Sequence, residues 1–291
     1  MVNQCASALE NLQLYLDLKK AHQDTSQKLT IAEQALDVAE ATNTAKRQFL
    51  STLSHELQSP LNNLLMMAQF LADNQDGNLT EKQVEYAFTM HNTSTELLTL
   101  MHDILDLSKV ESNQMEIEVE ALPLATLLET ITQKFKPIAQ EQEIAFNLTM
   151  AEDLPKELQT DAKHLGQILN HLLSNAFKFT KQGEVKLDIK RPSQDLSNPK
   201  LKAESTVMIS ITDTGIGIPQ DKQRGLFAAF QQVEGITSQR FGGTGLGLSI
   251  SRQLAYLLEG DIQLLSEEGV GSTFTLYLPE AISPPLISTE T

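Results

Sequence analysis

The spacing of apolar and polar positions divides the chain into a helical first part and a mixed second part. Up to residue 120 the sequence has one glycine, Gly77, and one proline, Pro60, so long helices are the default prediction there. Apolar or small residues then recur at alternating steps of four and three, at Ile31, Ala35, Val38, Thr42, Ala45, Phe49 and Thr52. This heptad spacing predicts a parallel coiled coil, with a single amphipathic helix docked elsewhere as the alternative.

Two stronger stripes predict a helical hairpin after this seam. The first stripe consists of Leu50, Leu53, Leu57, Leu61, Leu64, Met67 and Leu71. The polar segment 73–78 interrupts it, and Thr80-Glu81-Lys82-Gln83 has the capping-box arrangement that begins a new helix. The second stripe consists of Val84, Ala87, His91, Ser94, Leu98, Met101 and Leu105. Because two antiparallel helices do not enclose a core alone, we expect a dimeric four-helix bundle.

Residues 121–281 have the shorter, mixed periods of an α/β unit. Helices are predicted over 125–140, 161–179, 221–227 and 246–258. Strands are predicted over 144–149, 184–189, 207–212, 262–266 and 273–278. The second strand pairs naturally with the third and the fourth with the fifth, which indicates a mixed, largely antiparallel sheet covered on one face by helices. The polar segment 191–205 is predicted to be an exposed loop.

Composition and charge restrict the function classes. The chain has 291 residues, more than one typical domain, and its 41% hydrophobic content suffices for a core. The net charge of −16 argues against non-specific binding to nucleic acid or anionic membranes. Cys5 is the single cysteine, which rules out an intrachain disulfide and fits a reducing compartment. The sequence shows neither a bilayer-spanning apolar stretch nor a signal-peptide pattern, so we expect a cytoplasmic chain without direct membrane insertion.

His55 is the first candidate catalytic residue. On a helix it lies roughly 160° from the centre of the leucine stripe and therefore points to solvent. Glu56 adjoins it, Ser59 follows one turn later on nearly the same face, and Pro60 is expected to loosen or kink the helix. Neutral imidazole accepts a phosphoryl group, and a neighbouring carboxylate orients the ring or takes its proton. An exposed histidine is usually an ordinary surface residue, but this setting favours a function.

Two glycine clusters flank a Phe-rich segment near the C-terminus. They read Asp213-Thr214-Gly215-Ile216-Gly217 and Gly242-Gly243-Thr244-Gly245-Leu246-Gly247. Closely spaced glycines accept positive φ and expose amide N–H groups to phosphates, and the second cluster also begins a predicted helix. On an earlier helix, Asn175 offers an oxygen suited to Mg²⁺, and Lys178 lies one turn later. Alone these two would be ordinary solvated residues; with the glycine clusters they suggest the third wall of a nucleotide pocket.

In this order the motifs resemble the transmitter core of a sensor histidine kinase, over roughly residues 45 to 280. Residues 54–61 are similar to the family's phosphoacceptor box and residues 175–180 to its asparagine box. Residues 213–219, 227–230 and 243–247 are similar to its first glycine, phenylalanine and second glycine boxes. The resemblance implies an α + α/β fold: a helical hairpin that forms a homodimeric four-helix bundle, then an α/β sandwich ATP-binding domain of the topoisomerase and chaperone ATPase type.

The resemblance also implies roles for individual residues. His55 would be the phosphoacceptor, Glu56 would assist removal of its proton, and Ser59 would serve in dephosphorylating the partner. Asp213 would bind the adenine amino group, Asn175 would bind Mg²⁺, and Lys178 would contact phosphates. The implied ATP-binding residues are Asn175, Lys178, Asp213, Gly215, Gly217, Phe230, Gly243, Thr244, Gly245, Leu246 and Gly247. Residues 231–244 would form a lid, and the partner would be the receiver domain of a response regulator.

Three positions depart from the family pattern. The asparagine box usually has another Asn four residues before the metal ligand, where this chain has His171. The phosphoacceptor box usually has a basic residue at the position of Gln58, and more often Thr than Ser at position 59. The arginine common near His164 is absent. The departure at His171 bears on metal or phosphate binding, and that at Ser59 bears on phosphatase activity, although a serine hydroxyl could still serve.

These patterns divide the chain into four segments. Residues 1–44 form a signalling helix or coiled coil, 45–115 the dimerisation and phosphoacceptor domain, 116–281 the ATP-binding domain, and 282–291 a disordered tail. Residues 1–28 are similar to the closing helix of a GAF-type sensing module, which would place a sensor upstream of Met1. With no acidic receiver pocket visible after residue 281, we expect the phosphoryl group to pass to another chain or to a missing segment.

Three functions compete at this point. The first is an ATP-dependent autokinase that phosphorylates His55 and passes the group to a regulator aspartate. The second is an ATPase that performs conformational work, which usually needs a catalytic carboxylate where this chain has His171; no Glu occurs between Asp161 and Lys181. The third is a degenerate kinase that acts as a dimeric nucleotide-binding interaction protein.

Overall fold

The computed structural model describes residues 2–111, 115–194, 196, 198–199, 201–228 and 245–282. The chain divides into two compact units, Met1–Asn62 and Asn63–Thr291, and each is described by itself. Helix α1, Val2–Asp73, begins in the first unit and ends in the second. The similarity of residues 1–28 to a sensing module stays a prediction. Residues 283–291 of the predicted disordered tail lie outside the described residues.

Helix α1 is continuous for 72 residues and runs on through Pro60. Pro60 therefore does not end the helix, as its missing N–H could have done. In the first unit, the described seam positions from Ala35 to Thr52 are all exposed. The parallel coiled coil that this seam predicts stays a prediction.

The burial pattern of α1 divides the predicted leucine stripe into two faces. The half-buried and buried positions are Leu50, Ser54, Gln58, Leu61, Leu65, Ala68 and Ala72. Leu53, Leu57, Leu64 and Leu71 remain exposed, at 37% to 54% of their surface. Small and polar residues, Ser54 and Ala68 among them, occupy part of the buried face, and burial of the exposed leucines in a dimer stays a prediction.

The second unit contains the turn that joins α1 to α2, Glu81–Glu111. Gly77 takes a φ of 63° there, and its N–H donates to the Asn74 carbonyl at 2.9 Å. Thr80 N–H donates to Gln83 Oε1 at 2.9 Å, and Gln83 N–H donates to Thr80 Oγ1 at 3.4 Å. This reciprocal pair confirms the predicted capping box. Every position of the predicted α2 stripe is buried or half-buried.

Seven strands form two sheets in the described part of the second unit. They are β1 Glu120–Pro123, β2 Ala145–Met150, β3 Glu157–Thr160, β4 Glu184–Lys190, β5 Thr206–Asp213, β6 Asp261–Glu267 and β7 Gly271–Pro279. Strands β1 and β3 pair with each other, and the larger sheet has the order β2-β4-β5-β7-β6. Of the pairs in that sheet, β2–β4 is parallel and the others are antiparallel. The predicted mixed, largely antiparallel sheet is confirmed.

Helices cover one face of the larger sheet. They are α3 Leu124–Glu141, α4 Ala162–Phe179, the short α5 Gln220–Gln223 and α6 Gly247–Leu257. The inward residues of α4 are Leu165, Ile168, Leu169, Leu172, Leu173, Ala176 and Phe177, spaced at the three-and-four step of a helix. They share one core with inward strand residues such as Ile209, Ile211 and Leu276. This arrangement confirms the α + α/β class, and no described helix has both the length and the apolar character needed to cross a bilayer.

Four predictions for this part need correction. Strands β1 and β3 were missed because each is four residues long and β1 ends in a proline. Helix α5 ends at Gln223, before Gly225, instead of at residue 227. Segment 191–205 is not wholly exposed, since Leu201 is fully buried. The ordered chain also extends past residue 281, because Ile282 is buried and its N–H donates to the Gln159 carbonyl.

Asp161 fastens the linker before α3 to the start of α4. One carboxylate oxygen accepts the His164 N–H at 2.9 Å, and the other accepts the Glu118 N–H at 3.0 Å. His164 Nδ1 lies 2.7 Å from the second oxygen. Burial raises the pKa of Asp161, but these hydrogen bonds and the histidine charge outweigh it, so the pKa lies below its usual value.

We predict that Asp161→Asn lowers the free energy of unfolding at neutral pH by roughly 1–2 kcal/mol, because an Asn side chain still caps α4 but has one acceptor oxygen for these two N–H groups and carries no charge. Because the carboxyl pKa is lower in the folded state, its stabilisation is complete above an unfolded pKa of about 4 and is lost as the pH falls through the folded value. Urea unfolding of both proteins at a series of pH values checks this. The exposed Glu129→Gln is the control, and a difference that persists unchanged into strong acid would contradict the account.

Candidate nucleotide and phosphoacceptor sites

His55 lies on the exposed surface of α1 in the first unit. Glu56 and Ser59 are exposed as well, while Ser54 is buried. The predicted outward orientation of His55 is thereby confirmed. Since residues four apart on a helix share a face, Ser59 lies one turn from His55 on the same side. An exposed imidazole with an adjacent carboxylate is accessible to a phosphoryl donor.

Asp213 ends the central strand β5 in the second unit. It is buried, and its Oδ1 accepts the Gly215 N–H at 2.8 Å. Burial raises the pKa of Asp213 above its usual value, and the hydrogen bonds from the Gly215 and Ser272 amides oppose that shift. These backbone donors fix the direction of the carboxyl group, which is the property that a hydrogen-bonding site for an amino group needs.

Glycines in the first cluster allow two close backbone approaches. A Cβ on Gly215 would lie 2.4 Å from the Phe179 carbonyl oxygen at the end of α4. Gly217 has a φ of +64°, and its Cβ would lie 1.9 Å from the Glu267 carbonyl oxygen. Both contacts are shorter than any side chain tolerates, so this loop packs tightly against α4 and β6 only because it lacks side chains here.

The second cluster leads into α6. Gly245 takes a φ of 69°, and Gly247 is the first residue of the helix. The Leu246 side chain is fully buried in the core, so only its backbone remains as a possible cofactor contact. A Cβ on Gly247 would lie 3.4 Å from His171 Cγ on α4. Phe230, Gly243, Thr244 and the predicted lid 231–244 lie outside the described residues.

Helix α4 connects the two glycine clusters. The first cluster contacts it at Phe179, and the second comes within contact distance of His171. Asn175 and Lys178 lie between those two points, and both are half-buried. The structure therefore brings Gly215 and Gly247 to the helix that carries Asn175 and Lys178, and their role as walls of one nucleotide pocket stays a prediction.

Lys178 has a specific electrostatic environment. Burial lowers its pKa below the usual value, and the negative charge of Glu96 on α2 opposes that shift. Its Nζ also lies 5.4 Å from the centroid of the Phe179 ring. A partly desolvated ammonium group interacts strongly with a phosphate, because the local dielectric constant is low.

Asn175 is the residue that the sequence predicts as a metal ligand. Within the described part of the chain, no group of three or more His, Cys, Asp or Glu side chains is placed to hold a metal ion. Mg²⁺ in nucleotide sites keeps waters and takes phosphate oxygens, so one amide oxygen from the protein fits this kind of site. The donor set thus agrees with a nucleotide-borne Mg²⁺ and not with a metal cage built by the protein.

Sequence reasoning missed the residues that surround His171. Its Nδ1 lies 3.2 Å from Ser251 Oγ on α6, and its Nε2 lies 3.5 Å from Asp103 Oδ1 on α2. Nearby, Gln167 Nε2 donates to Asp106 Oδ2 at 2.8 Å. The one available signal was an acid pair, Asp103 and Asp106, near the inward stripe of α2.

We predict that Gly215→Ala destabilises the second unit by roughly 1–3 kcal/mol, because the methyl group overlaps the Phe179 carbonyl. The matched control is Gly166→Ala on α4, where nothing lies within 4 Å of the added Cβ. That helical substitution is expected to be neutral or to stabilise by up to about 1 kcal/mol. Urea unfolding measures both, and equal effects would show that the close approach is not the cause.

Comparisons with known proteins match both parts of the chain. Residues 45–113 match the family model of the His Kinase A (phospho-acceptor) domain, and residues 160–282 match that of the histidine kinase-, DNA gyrase B- and HSP90-like ATPase. A solved structure, full-length ShkA in complex with AMPPNP, aligns with a TM-score of 0.64 at 29% identity, covering 81% of this chain and 46% of that one.

Curated relatives extend these matches over most of the chain. The circadian input-output histidine kinase CikA of Synechococcus elongatus is 37% identical over 279 residues, covering 94% of this chain and 36% of the relative. The autoinducer 2 sensor kinase/phosphatase LuxQ of Vibrio parahaemolyticus is 34% identical, covering 87% and 29%. The aerobic respiration control sensor protein ArcB of Escherichia coli K12 is 34% identical, covering 86% and 31%. The chain spans about a third of their length, and it belongs to the sensor histidine kinase family.

Proposed function

We propose that this chain is the catalytic core of a sensor histidine kinase that phosphorylates itself on His55 with Mg-ATP and passes the group to an aspartate of a response regulator. The observation that carries the proposal is an exposed His55 beside Glu56 within the phospho-acceptor match, followed in the same chain by an ATPase-type domain. Neither half performs the reaction alone, because one supplies the acceptor and the other the donor.

The proposed reaction at His55 is an in-line displacement. A neutral ring nitrogen forms a bond to the γ-phosphorus of ATP while the bond to the β–γ bridging oxygen breaks, and ADP leaves. The imidazole proton passes to the Glu56 carboxylate or through it to water. Transfer to the regulator then breaks the N–P bond and forms an acyl phosphate on the receiver aspartate, which restores neutral His55.

The nucleotide is proposed to lie along α4. Asp213 accepts a hydrogen bond from the adenine amino group, and Lys178 and the backbone around Gly243, Gly245 and Gly247 bind the phosphates. Asn175 holds Mg²⁺, which when bound neutralises phosphate charge. Gly215 and Gly217 place the Asp213 loop, since their close backbone contacts admit no side chain. The likeness to ShkA, solved with a nucleotide analogue, supports this assignment.

A homodimer is proposed on the evidence of the exposed leucine face of α1. Leu53, Leu57, Leu64 and Leu71 are exposed apolar residues at helical spacing. Helix α2 adds exposed Tyr86, Met90 and Leu97. A stripe of large apolar side chains on paired helices is buried when two hairpins form a four-helix bundle. Because ATP and response regulators are cytoplasmic, the proposed reaction takes place there, under the control of an upstream sensor module.

The alternative is a degenerate kinase that binds nucleotide without transferring phosphate. The observation behind it is that His171 replaces the family's usual Asn, and that its ring contacts Asp103 and Ser251. Asn175 and Lys178 are retained on the same helix, however, so the groups proposed for Mg²⁺ and phosphate are in place. Tight Mg-ATP binding without label transfer would favour the alternative.

We predict that γ-labelled ATP gives an acid-labile, alkali-stable phosphoprotein and that His55→Gln abolishes the label. Phosphorus–nitrogen bonds of phosphohistidine hydrolyse in acid, whereas phosphoserine survives it. The matched control is His22→Gln, because His22 is also exposed on α1. Its label should be unchanged, and an acid-stable label, or one that survives His55→Gln, would refute the proposal.

A second prediction concerns dephosphorylation of the regulator. We expect Ser59→Ala to slow loss of phosphate from a phosphorylated regulator about tenfold or more, since the hydroxyl group is proposed to orient the attacking water. Autophosphorylation of His55 should change little, because Ser59 lies one turn away from the ring. Ser51→Ala, at another exposed position on α1, is the control. Equal phosphatase rates in wild type and Ser59→Ala would show that Ser59 has no such role.

A further inference from the structure

His171 lies in a polar network that joins three helices of the second unit. Its Nε2 is 3.5 Å from Asp103 Oδ1 on α2, and its Nδ1 is 3.2 Å from Ser251 Oγ on α6. Ser251 Oγ donates its only proton to the Gly247 carbonyl at 2.7 Å. The Nδ1–Ser251 Oγ contact is therefore a hydrogen bond only when Nδ1 carries a proton, because a neutral imidazole has a single N–H to share between Ser251 and Asp103.

A second polar contact joins α2 to α4, and α2 also packs against α6. Gln167 donates to Asp106 at 2.8 Å, and Glu96 acts electrostatically on Lys178. Gln167, His171 and Lys178 fall within about 40° of one another around α4. Their partners Asp106 and Asp103 run in the reverse order along α2. The contacts Gln167–Asp106 and His171–Asp103 thus follow the order expected of antiparallel neighbours and form one polar stripe.

Apolar contacts support the same arrangement. Leu107 on α2 is buried within the core of the ATPase-type domain, and Leu100, Ile104 and Val110 pack against that core. These four positions follow the three-and-four spacing of one helix face. The C-terminal half of α2 is thus docked on the ATPase-type domain by a leucine-rich face with the polar stripe beside it.

Asp103 makes this docking depend on His171. The neighbouring elements leave only 4% of the Asp103 surface exposed. A carboxylate that is withdrawn from water needs an opposite charge or a hydrogen-bond donor, and His171 Nε2 is the histidine nitrogen that faces it. Without that donor the buried carboxylate loses its histidine partner. An undocked arrangement, in which water reaches Asp103, then becomes more stable than the docked one.

We propose that Asp103, His171 and Ser251 form a latch that holds the ATPase-type domain on α2 and restrains phosphoryl transfer to His55. The inference rests on the proposed kinase function. In the docked arrangement Gln167 and His171, which precede Asn175 on α4, contact Asp106 and Asp103 of α2, so a rearrangement of the domain for phosphoryl transfer has to break these contacts. His171 is on this account a positioning residue, which explains why it replaces an Asn in the asparagine box.

The latch also connects α2 to the nucleotide pocket. His171 precedes Asn175 by one helical turn, and its ring lies 3.4 Å from the position of a Cβ on Gly247. Through Ser251 it reaches the carbonyl of that glycine, in the first turn of α6. A shift of α2 that displaces Asp103 therefore acts on two walls of the proposed site together.

The test compares wild type, Asp103→Ala, His171→Asn and the double variant, with Glu85→Ala as the control. Glu85 is an exposed acid on α2 outside the docked half. Hydrogen–deuterium exchange reports docking without any activity: the latch predicts faster exchange in residues 97–111 and 247–257 of each variant and unchanged exchange in β4 and β5. The initial rate of His55 phosphorylation at saturating Mg-ATP should rise roughly fivefold or more in Asp103→Ala. The double variant should gain nothing further.

The outcomes separate the latch from the kinase assignment. Exchange in Asp103→Ala that matches Glu85→Ala would overturn the latch, and so would strictly additive effects in the double variant. Faster exchange with a slower rate would overturn the restraining role, because docking would then assist transfer. If wild type itself carries no label on His55, the proposed function fails, while the exchange comparison still decides whether docking depends on His171.

Discussion

The amphipathic packing of α4 is the constraint on which the nucleotide half depends. Its inward face, from Leu165 to Phe177, is buried in the core and is therefore fixed in rotation and depth against the sheet. Once that face is fixed, helix geometry determines the direction of every other side chain of α4. Gln167 and His171 fall toward α2, Asn175 follows His171 by one turn, and Phe179 at the end of the helix meets the Gly215 loop.

Rigid placement of α4 gives the glycine residues their physical role. Gly215 brings a loop within touching distance of the last carbonyl of α4, and Gly247 lets α6 begin beside His171. At Gly215 a methyl group would overlap that carbonyl, whereas at Gly247 it would meet the His171 ring at an ordinary contact distance. The glycines were first interpreted as exposed amides for phosphate, but the structure adds that they set the distance between the walls. Exposure of amides and close packing follow from the same missing side chain.

Much of the fold could be predicted from local sequence signals. The capping box at Thr80, the N-cap at Asp161 and the alternation along β4 and β5 act within a few residues, so their meaning does not depend on the rest of the chain. The short strands β1 and β3 could not be predicted, because each exists only through pairing with the other. Leu201 was predicted to be exposed because its loop is polar. The structure buries it, and that burial is set by the fold and not by the neighbouring sequence.

The candidate site shows the same division between local and distant information. Asn175, Lys178 and Asp213 could be identified from the sequence, because each lies at a spacing typical of the family. The fold places the first two on α4 and the third at the end of β5. The division of the leucine stripe on α1 into a buried and an exposed face could not be predicted, since Ser54 and Ala68 carry no apolar signal. The partners of His171 were missed because Asp103 and Ser251 are 68 residues before it and 80 residues after it.

Placing a histidine at position 171 has a consequence for how the two parts of the chain communicate. An Asn side chain is shorter than the imidazole ring, which reaches Asp103 with one nitrogen and Ser251 with the other. The helix that carries the proposed metal ligand thus contacts the second helix of the phosphoacceptor hairpin directly. Coupling between sites needs an element whose position both sites affect, and the docked half of α2, which contacts α4 through Asp103, is the candidate. A signal that moves α2 changes the environment of α4 as a unit, so regulation and catalysis share one structural element.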